Sequence, residues 1–249
     1  MARIRIKPIE SVADLLPALK TLHLKSPMLW FRGHGKTQWR LTPTLGRSRK
    51  LANAESNLIK RFKQNAVLLV DRAPTTEWDW LFLMQHHRLP TRLLDWSESP
   101  LVGLFFVVCE PRYDKSPGAL WCLDPIGLNR AAGVSYKNSF EIPAFGEDNV
   151  LNSYRPSIIE SERKSNLVPV AGLASRSNER LYAQMGVFTI THRKHNPIEK
   201  IDGKFVYKIE IPAKAKPVIR KELAHLRITH LSLFPELENV SKLAAEDSI

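Results

Sequence analysis

What this chain has little of narrows its reading first. Two cysteines, Cys109 and Cys122, stand in 249 residues, and no CxxC spacing joins them. Both sit among apolar neighbours (Phe106-Val107-Val108-Cys109 and Leu120-Trp121-Cys122-Leu123). That context suits reduced core thiols and argues against a disulfide framework or a thiolate metal site. The longest apolar run, Leu101 to Cys109, is about half a bilayer span. The start, Met-Ala-Arg-Ile-Arg-Ile-Lys-Pro, is basic but lacks the apolar stretch of a signal peptide. A cytoplasmic protein without a membrane partner is therefore expected. The motifs GxxxxGK[ST], GxSxG and HExxH are missing. His86 and His87 are adjacent, so on a helix they point about 100° apart and make a poor metal pair. No metal is expected.

What is present describes a folded and basic protein. Hydrophobic residues make up 43% and charged residues 25%, a balance that supports a packed core and excludes a disordered chain. The 37 Lys and Arg against 25 Asp and Glu give a net charge of +12. Such a surplus favours acidic partners, either nucleotides or nucleic acid, and is equally that of a soluble basic surface. The basic residues are spread along the chain, which argues against a dedicated DNA-binding arm.

Periodicity places helices first and strands later. Helices are expected from Glu10 to Leu24, from Asn53 to Arg72 (apolar Leu58, Ile59, Phe62, Ala66, Leu69, Val70) and from Thr76 to His87. Ser99-Pro100 is a helix start, because serine caps and proline suits the first helical position. The Leu101–Cys109 helix is apolar all round and so central. Strands are expected at Arg3–Lys7 as an edge, then at Met28–Arg32, Ala119–Leu123, Leu167–Ala171, Gly186–His192 and Lys204–Ile211. A short helix should fill Asn178–Met185, and helical tails should cover Lys214–Leu226 and Pro235–Ala245. Residues 132–165 are polar and aperiodic, as an insertion or flap would be. Without regular βαβ alternation, the fold class is α+β: one domain over 1–249, with an N-terminal helical part and a mixed or antiparallel sheet.

Three stretches carry chemistry. Arg32 follows Leu29, Trp30 and Phe31 at a strand end, with Gly33 beside it and His34 opening a polar turn. A guanidinium fork there can clamp a phosphate or carboxylate, or else bridge internally to Asp95. Thr91-Arg92-Leu93-Leu94-Asp95-Trp96-Ser97 lies between a helix closed by Pro90 and a helix opened by Ser99-Pro100, so a short extended connection is expected. Asp95 and Arg92 can neutralise each other, and Thr91 and Ser97 can hydrogen-bond a ligand; otherwise Asp95 simply fixes a turn. Arg180 and Gln184, four apart, share a helix face that borders either a cleft or solvent.

These stretches together resemble the FRG domain. Its (F/Y)RG motif is Phe31-Arg32-Gly33, and its central signature is Gln85-His86-His87-Arg88-Leu89-Pro90-Thr91-Arg92-Leu93-Leu94-Asp95-Trp96. The Ser99–Val107 helix, Arg180…Gln184-x-Gly186-x-Phe188 and Phe234-Pro235-Glu236-Leu237 complete the likeness over roughly residues 28 to 240. A more distant likeness, in motif order, is to arginine-serine-glutamate ADP-ribosyltransferases. It implies that the protein binds NAD or a related nucleotide and transfers or cleaves it, in a toxin or phage-defence setting. The implied catalytic residues are Arg32, Thr91, Asp95 and Gln184. The implied cofactor contacts are Arg32, Gly33, His34, Thr91, Arg92, Ser97 and Arg180, with Arg32 on phosphate. Gln184 is neutral where that chemistry uses a carboxylate beside a developing oxocarbenium ion, and Asp95 is the replacement at hand. The alternative is a non-catalytic nucleic-acid-binding module, in which Trp39 and Tyr154 stack bases beside Arg40 and Arg155.

Overall fold

Six strands account for most of the predicted β-structure, and they assemble around one apolar helix. A computed structural model describes residues 6–70, 73–134, 136, 140–162, 166–176, 178–236 and 239. In chain order the elements are α1 (Leu15–His23), β1 (Trp30–His34), α2 (Arg49–Asn53), α3 (Glu55–Ala66), α4 (Glu77–His86) and β2 (Leu93–Ser97). Next come α5 (Pro100–Val108), β3 (Gly118–Leu123), α6 (Pro125–Ala131), α7 (Pro156–Ser161), β4 (Val170–Gly172) and α8 (Glu179–Ala183). The chain continues through β5 (Gly186–Ile190), β6 (Val206–Ile211), α9 (Lys216–His225) and α10 (His230–Leu233). The strand order is β4-β5-β2-β1-β3-β6, and every neighbouring pair is antiparallel. This is an α+β fold.

Both faces of the sheet are covered, so its inner strands carry apolar residues at odd and even positions alike. Phe31, Leu120 and Ile209 face a core with Leu22 of α1, Leu104 and Val108 of α5 and Leu223 of α9. Trp30, Trp96, Trp121 and Leu123 face the other way, against Leu128 and Phe205. A third cluster joins Trp78, Leu81 and Met84 of α4 to Leu93, Phe188 and Ile190. α5 is capped as its sequence specifies: Ser99 accepts from Val102 N–H, and Pro100 fills the first turn. Its close approach to β1 depends on missing side chains. A Cβ on Gly33 would lie 2.2 Å from the Gly103 carbonyl oxygen, and one on Gly103 would lie 2.7 Å from Phe31 Cβ.

Four expectations are corrected here. Thr91–Ser97 is no mere connection: its last five residues form β2, a central strand between β1 and β5. Leu93 and Leu94 point into different cores and only Asp95 is exposed, which the adjacent prolines hide in sequence. The expected Asn53–Arg72 helix is shorter: α3 starts at Glu55, one residue apart from α2, which ends at Asn53, and stops at Ala66. Leu69, placed on the helix stripe, is 84% exposed. Residues 132–165 are packed rather than flap-like where they are described: Phe145, Leu151, Tyr154 and Ile159 are buried. Aperiodicity there reflects short turns seated on α4 and β5, which give no repeating stripe. The Arg3–Lys7 strand and the Pro235–Ala245 helix fall largely outside the described residues.

Candidate functional site

β1 and β2 are neighbours that scarcely pair: Phe31↔Ser97 is their one register pair, whereas β1 runs with β3 along its whole length. Beyond that pair the two strands separate. The opening is bridged by a side chain, since Arg32 Nη1 donates to the Asp95 carbonyl oxygen at 2.6 Å. A cavity of about 300 Å³ lies at this split. Arg32, Asp95 and Gln184, drawn from β1, β2 and the end of α8, all line it, and so do Gly33, Ser97 and Arg180.

A hydrogen-bonded relay fixes the carboxylate. The Thr91 hydroxyl accepts from Leu93 N–H (3.1 Å) and donates to Gln85 Oε1 (2.5 Å). The Gln85 amide therefore presents Nε2, which donates to Asp95 Oδ2 at 2.8 Å. Arg32 Nη1 stands 3.5 Å from the same oxygen. Asp95 is half exposed and, among the described residues, is the one carboxylate lining the cavity.

Arg32 is held from behind. Its Nε donates to His34 Nε2 at 3.2 Å, so that nitrogen carries a lone pair. Nδ1 of His34 then keeps its proton and donates it to the Trp39 carbonyl (3.2 Å). Trp121 Nε1 also lies 3.1 Å from Nδ1 and would favour the opposite tautomer, but the arginine, which only donates, decides the question. Burial, reinforced by the Arg32 charge, lowers the His34 pKa to about 3, so the ring is neutral. Burial also lowers the Arg32 pKa, from a value high enough that the guanidinium stays charged. Its Nη2 has no partner among the described residues.

The remaining lining is cationic and aromatic. Arg180 stacks on Phe234 with 4.6 Å from guanidinium carbon to ring centroid. Arg88, at the end of α4, has a left-handed backbone (φ 61°) and lines the cavity too. His86 has its pKa lowered, by burial first and then by Arg180. Phe31, Phe82, Phe106 and Phe188 form apolar wall, with Phe82 and Phe188 stacked at 5.2 Å. Among the described lining residues, three arginines and one carboxylate thus share a partly apolar hollow, with Glu236 near enough to act on Arg180; a surplus of guanidinium beside aromatic wall suits an anion bearing a flat ring.

Some residues expected at the site are elsewhere. Thr91 is 1% exposed and acts through Gln85 instead of lining the cavity. Arg92 is 2% exposed and paired with Glu55, and its Nη1 donates to the Thr191 and His192 carbonyls (2.9 and 3.0 Å). It does not neutralise Asp95. His34 is buried behind Arg32. Ser97 lines the cavity, but its hydroxyl donates to the Gln184 carbonyl (2.7 Å) and accepts from Ser99 N–H (2.9 Å). Gln184 Nε2 donates to the Leu233 carbonyl (2.9 Å). Tyr154, expected to be exposed, is 2% exposed and donates its hydroxyl proton to Val168 O. Sequence reading gave no role to Gln85 or Arg88, although both stand in the quoted motif. Their part depends on where the end of α4 lies against β2, which spacing does not encode.

The family model of the FRG domain matches residues 27–116. This chain carries an FRG domain. The matched span holds Phe31-Arg32-Gly33 and the whole Gln85–Ser97 relay; Arg180 and Gln184 come from beyond it. Comparison with curated proteins found no match, and comparison with solved structures found none. Among the described residues, no helix is long and apolar enough to cross a membrane.

Proposed function

We propose that the cavity of this FRG-domain protein binds NAD or a related nucleotide and promotes transfer or hydrolysis at its ribosyl bond. The supporting observation is the convergence of Arg32, Asp95 and Gln184 on one cationic cavity. The group fits: Arg32 Nη2, without a partner among the described residues, is a phosphate donor, Arg88 and Arg180 extend the positive field, and phenylalanines receive a ring. A volume of about 300 Å³ admits one nucleoside unit with its phosphate, so the rest of a dinucleotide would extend through the mouth. When bound, the dinucleotide supplies a glycosidic carbon whose bond to nicotinamide breaks, the electron pair leaving with nicotinamide.

The residues of this chain then have distinct tasks. Asp95 places a fixed negative charge beside the carbon that becomes electron-poor, help that is effective where it is preorganised. The acceptor oxygen forms the new bond to that carbon and loses its proton to Asp95 or solvent. Gln184 offers Oε1 as a neutral acceptor for a ribose hydroxyl, its Nε2 being tied to Leu233. Arg32 holds phosphate. The second reading, a non-catalytic nucleic-acid module, loses one of its two stacking rings because Tyr154 is buried.

The test is incubation with nicotinamide-labelled NAD, following binding by equilibrium dialysis and release of nicotinamide by chromatography. Asp95→Asn should keep affinity within about threefold but lower the rate roughly 10²-fold or more. Arg32→Ala should lose binding while keeping a cooperative melt. Wild-type protein that neither binds nor consumes NAD would remove the proposal.

A further inference from the structure

Between Asp14 and Glu55 the chain contains no acidic residue, yet it carries eight Lys and Arg. The first acid after that gap is engaged in the pair with Arg92, so it does not offset the positive surface. The later part of the acid-free stretch lies beside the cavity. Thr44 lines the cavity itself and begins a short 3-10 turn, Thr44–Arg47, that leads directly into α2. Arg47, Arg49 and Lys50 are all exposed, and Arg49 and Lys50 make no hydrogen bond or ion pair among the described residues. Arg47 is near enough to Arg32 to act on its charge. Arg88, two residues past the end of α4, also lines the cavity and is exposed. In chain order, exposed cations therefore follow directly on the cavity-lining Thr44 and continue into α2.

We infer that the related nucleotide this site takes is the terminal nucleotide of a single-stranded nucleic acid, seated where one nucleoside unit of NAD would otherwise sit, with the strand's backbone phosphates along Arg47, Arg49 and Lys50. The inference rests on the proposed nucleotide-binding role of the cavity and names the macromolecule that presents the nucleotide. A cavity of about 300 Å³ takes one unpaired nucleotide and no duplex. Stacking on an aromatic wall with phosphates on a cationic groove is how sequence-tolerant single-strand binding is built. An acidic protein would match the charge but has no use for a pocket walled by phenylalanines.

Fluorescein-labelled 12-nucleotide single strands, of DNA and of RNA, would be titrated into the protein at 50 to 300 mM salt, beside a duplex and poly-glutamate. ADP would be titrated separately by calorimetry. With about four phosphates neutralised, log affinity should fall against log salt with a slope near −3. Arg49→Ala/Lys50→Ala should weaken the single strand at least fivefold and flatten that slope by about 1 to 1.5, with ADP affinity unchanged. Arg47→Gln serves as a second variant if the first melts early. Single-strand binding that the variants leave intact, no binding at 50 mM salt, or equal affinity for poly-glutamate overturns the inference. If the variants lose the single strand while wild-type protein fails to bind ADP, the phosphate track stands and the cavity reading falls. If ADP binds and no strand does, the reverse holds.

Discussion

Gly33 is the residue on which the site's geometry turns, for a reason of space and not of backbone angle. The missing side chain lets α5 press its own backbone against β1, and a Cβ there would meet Gly103 O at 2.2 Å and Val107 N at 2.6 Å. Rigid backbone cannot rotate aside, so Gly33→Ala should cost roughly 1–3 kcal/mol, read as a lowered denaturation midpoint at unchanged m-value. The same substitution moves α5 away from Arg32, so nucleotide affinity should fall beyond the fraction unfolded. The sequence made Arg32 visible as a charge among tryptophan and phenylalanine. It did not distinguish Arg32 from Arg92, both arginines in apolar company. The first faces a cavity and the second is sealed against Glu55 and two carbonyls, a difference set by residues some 37 to 100 positions away.

At the scale of elements, the Arg92–Glu55 pair joins α3 to the start of β2 and to the chain just after β5. Arg92→Met would leave Glu55 without its cation in a nearly closed setting, and should destabilise by roughly 3–5 kcal/mol. Arg92→Met/Glu55→Met should recover much of that loss, because the stranded charge goes as well. Parallel urea melts of the two variants check this, and equal stability for both would refute it. The start of α5 was legible in sequence from Ser99-Pro100, and that of α4 from its apolar pattern, to which the structure adds a capping box of Thr76 and Asp79. β2 was harder. Its apolar residues serve two cores, so it lacks alternation, and flanking prolines mimic a loop.

For the whole molecule, buried and half-buried neutral imidazoles shape the response to acid. His34 has its pKa lowered to about 3, and His192 and His195 to about 4, each chiefly by burial with nearby Arg32 or Arg92 adding to it. The unfolded chain takes up these protons near 6.5, and the folded one refuses them. Stability from this source is therefore complete above pH 6.5 and erodes as pH falls from there towards 4. Each histidine contributes up to about 1.4 kcal/mol per pH unit across that window. Thermal melts at pH 7.5, 6.0 and 5.0 should show a steadily falling Tm, and a flat Tm over that range would contradict the assignment.

Sequence alone determined the α+β class, the central apolar helix and the motif pair around Arg32 and Asp95. Each of these depends on local signals: a cap, a periodicity, a charge in apolar company. Tertiary structure alone decided that β1 and β2 part after one register pair, that Gln85 turns its amide to Asp95, and that Thr91, Arg92 and His34 stand behind the cavity and not in it. The reason is physical. A side chain's role depends on which partner satisfies its charge or hydrogen bond, and those partners come from strands and helices brought together only by packing.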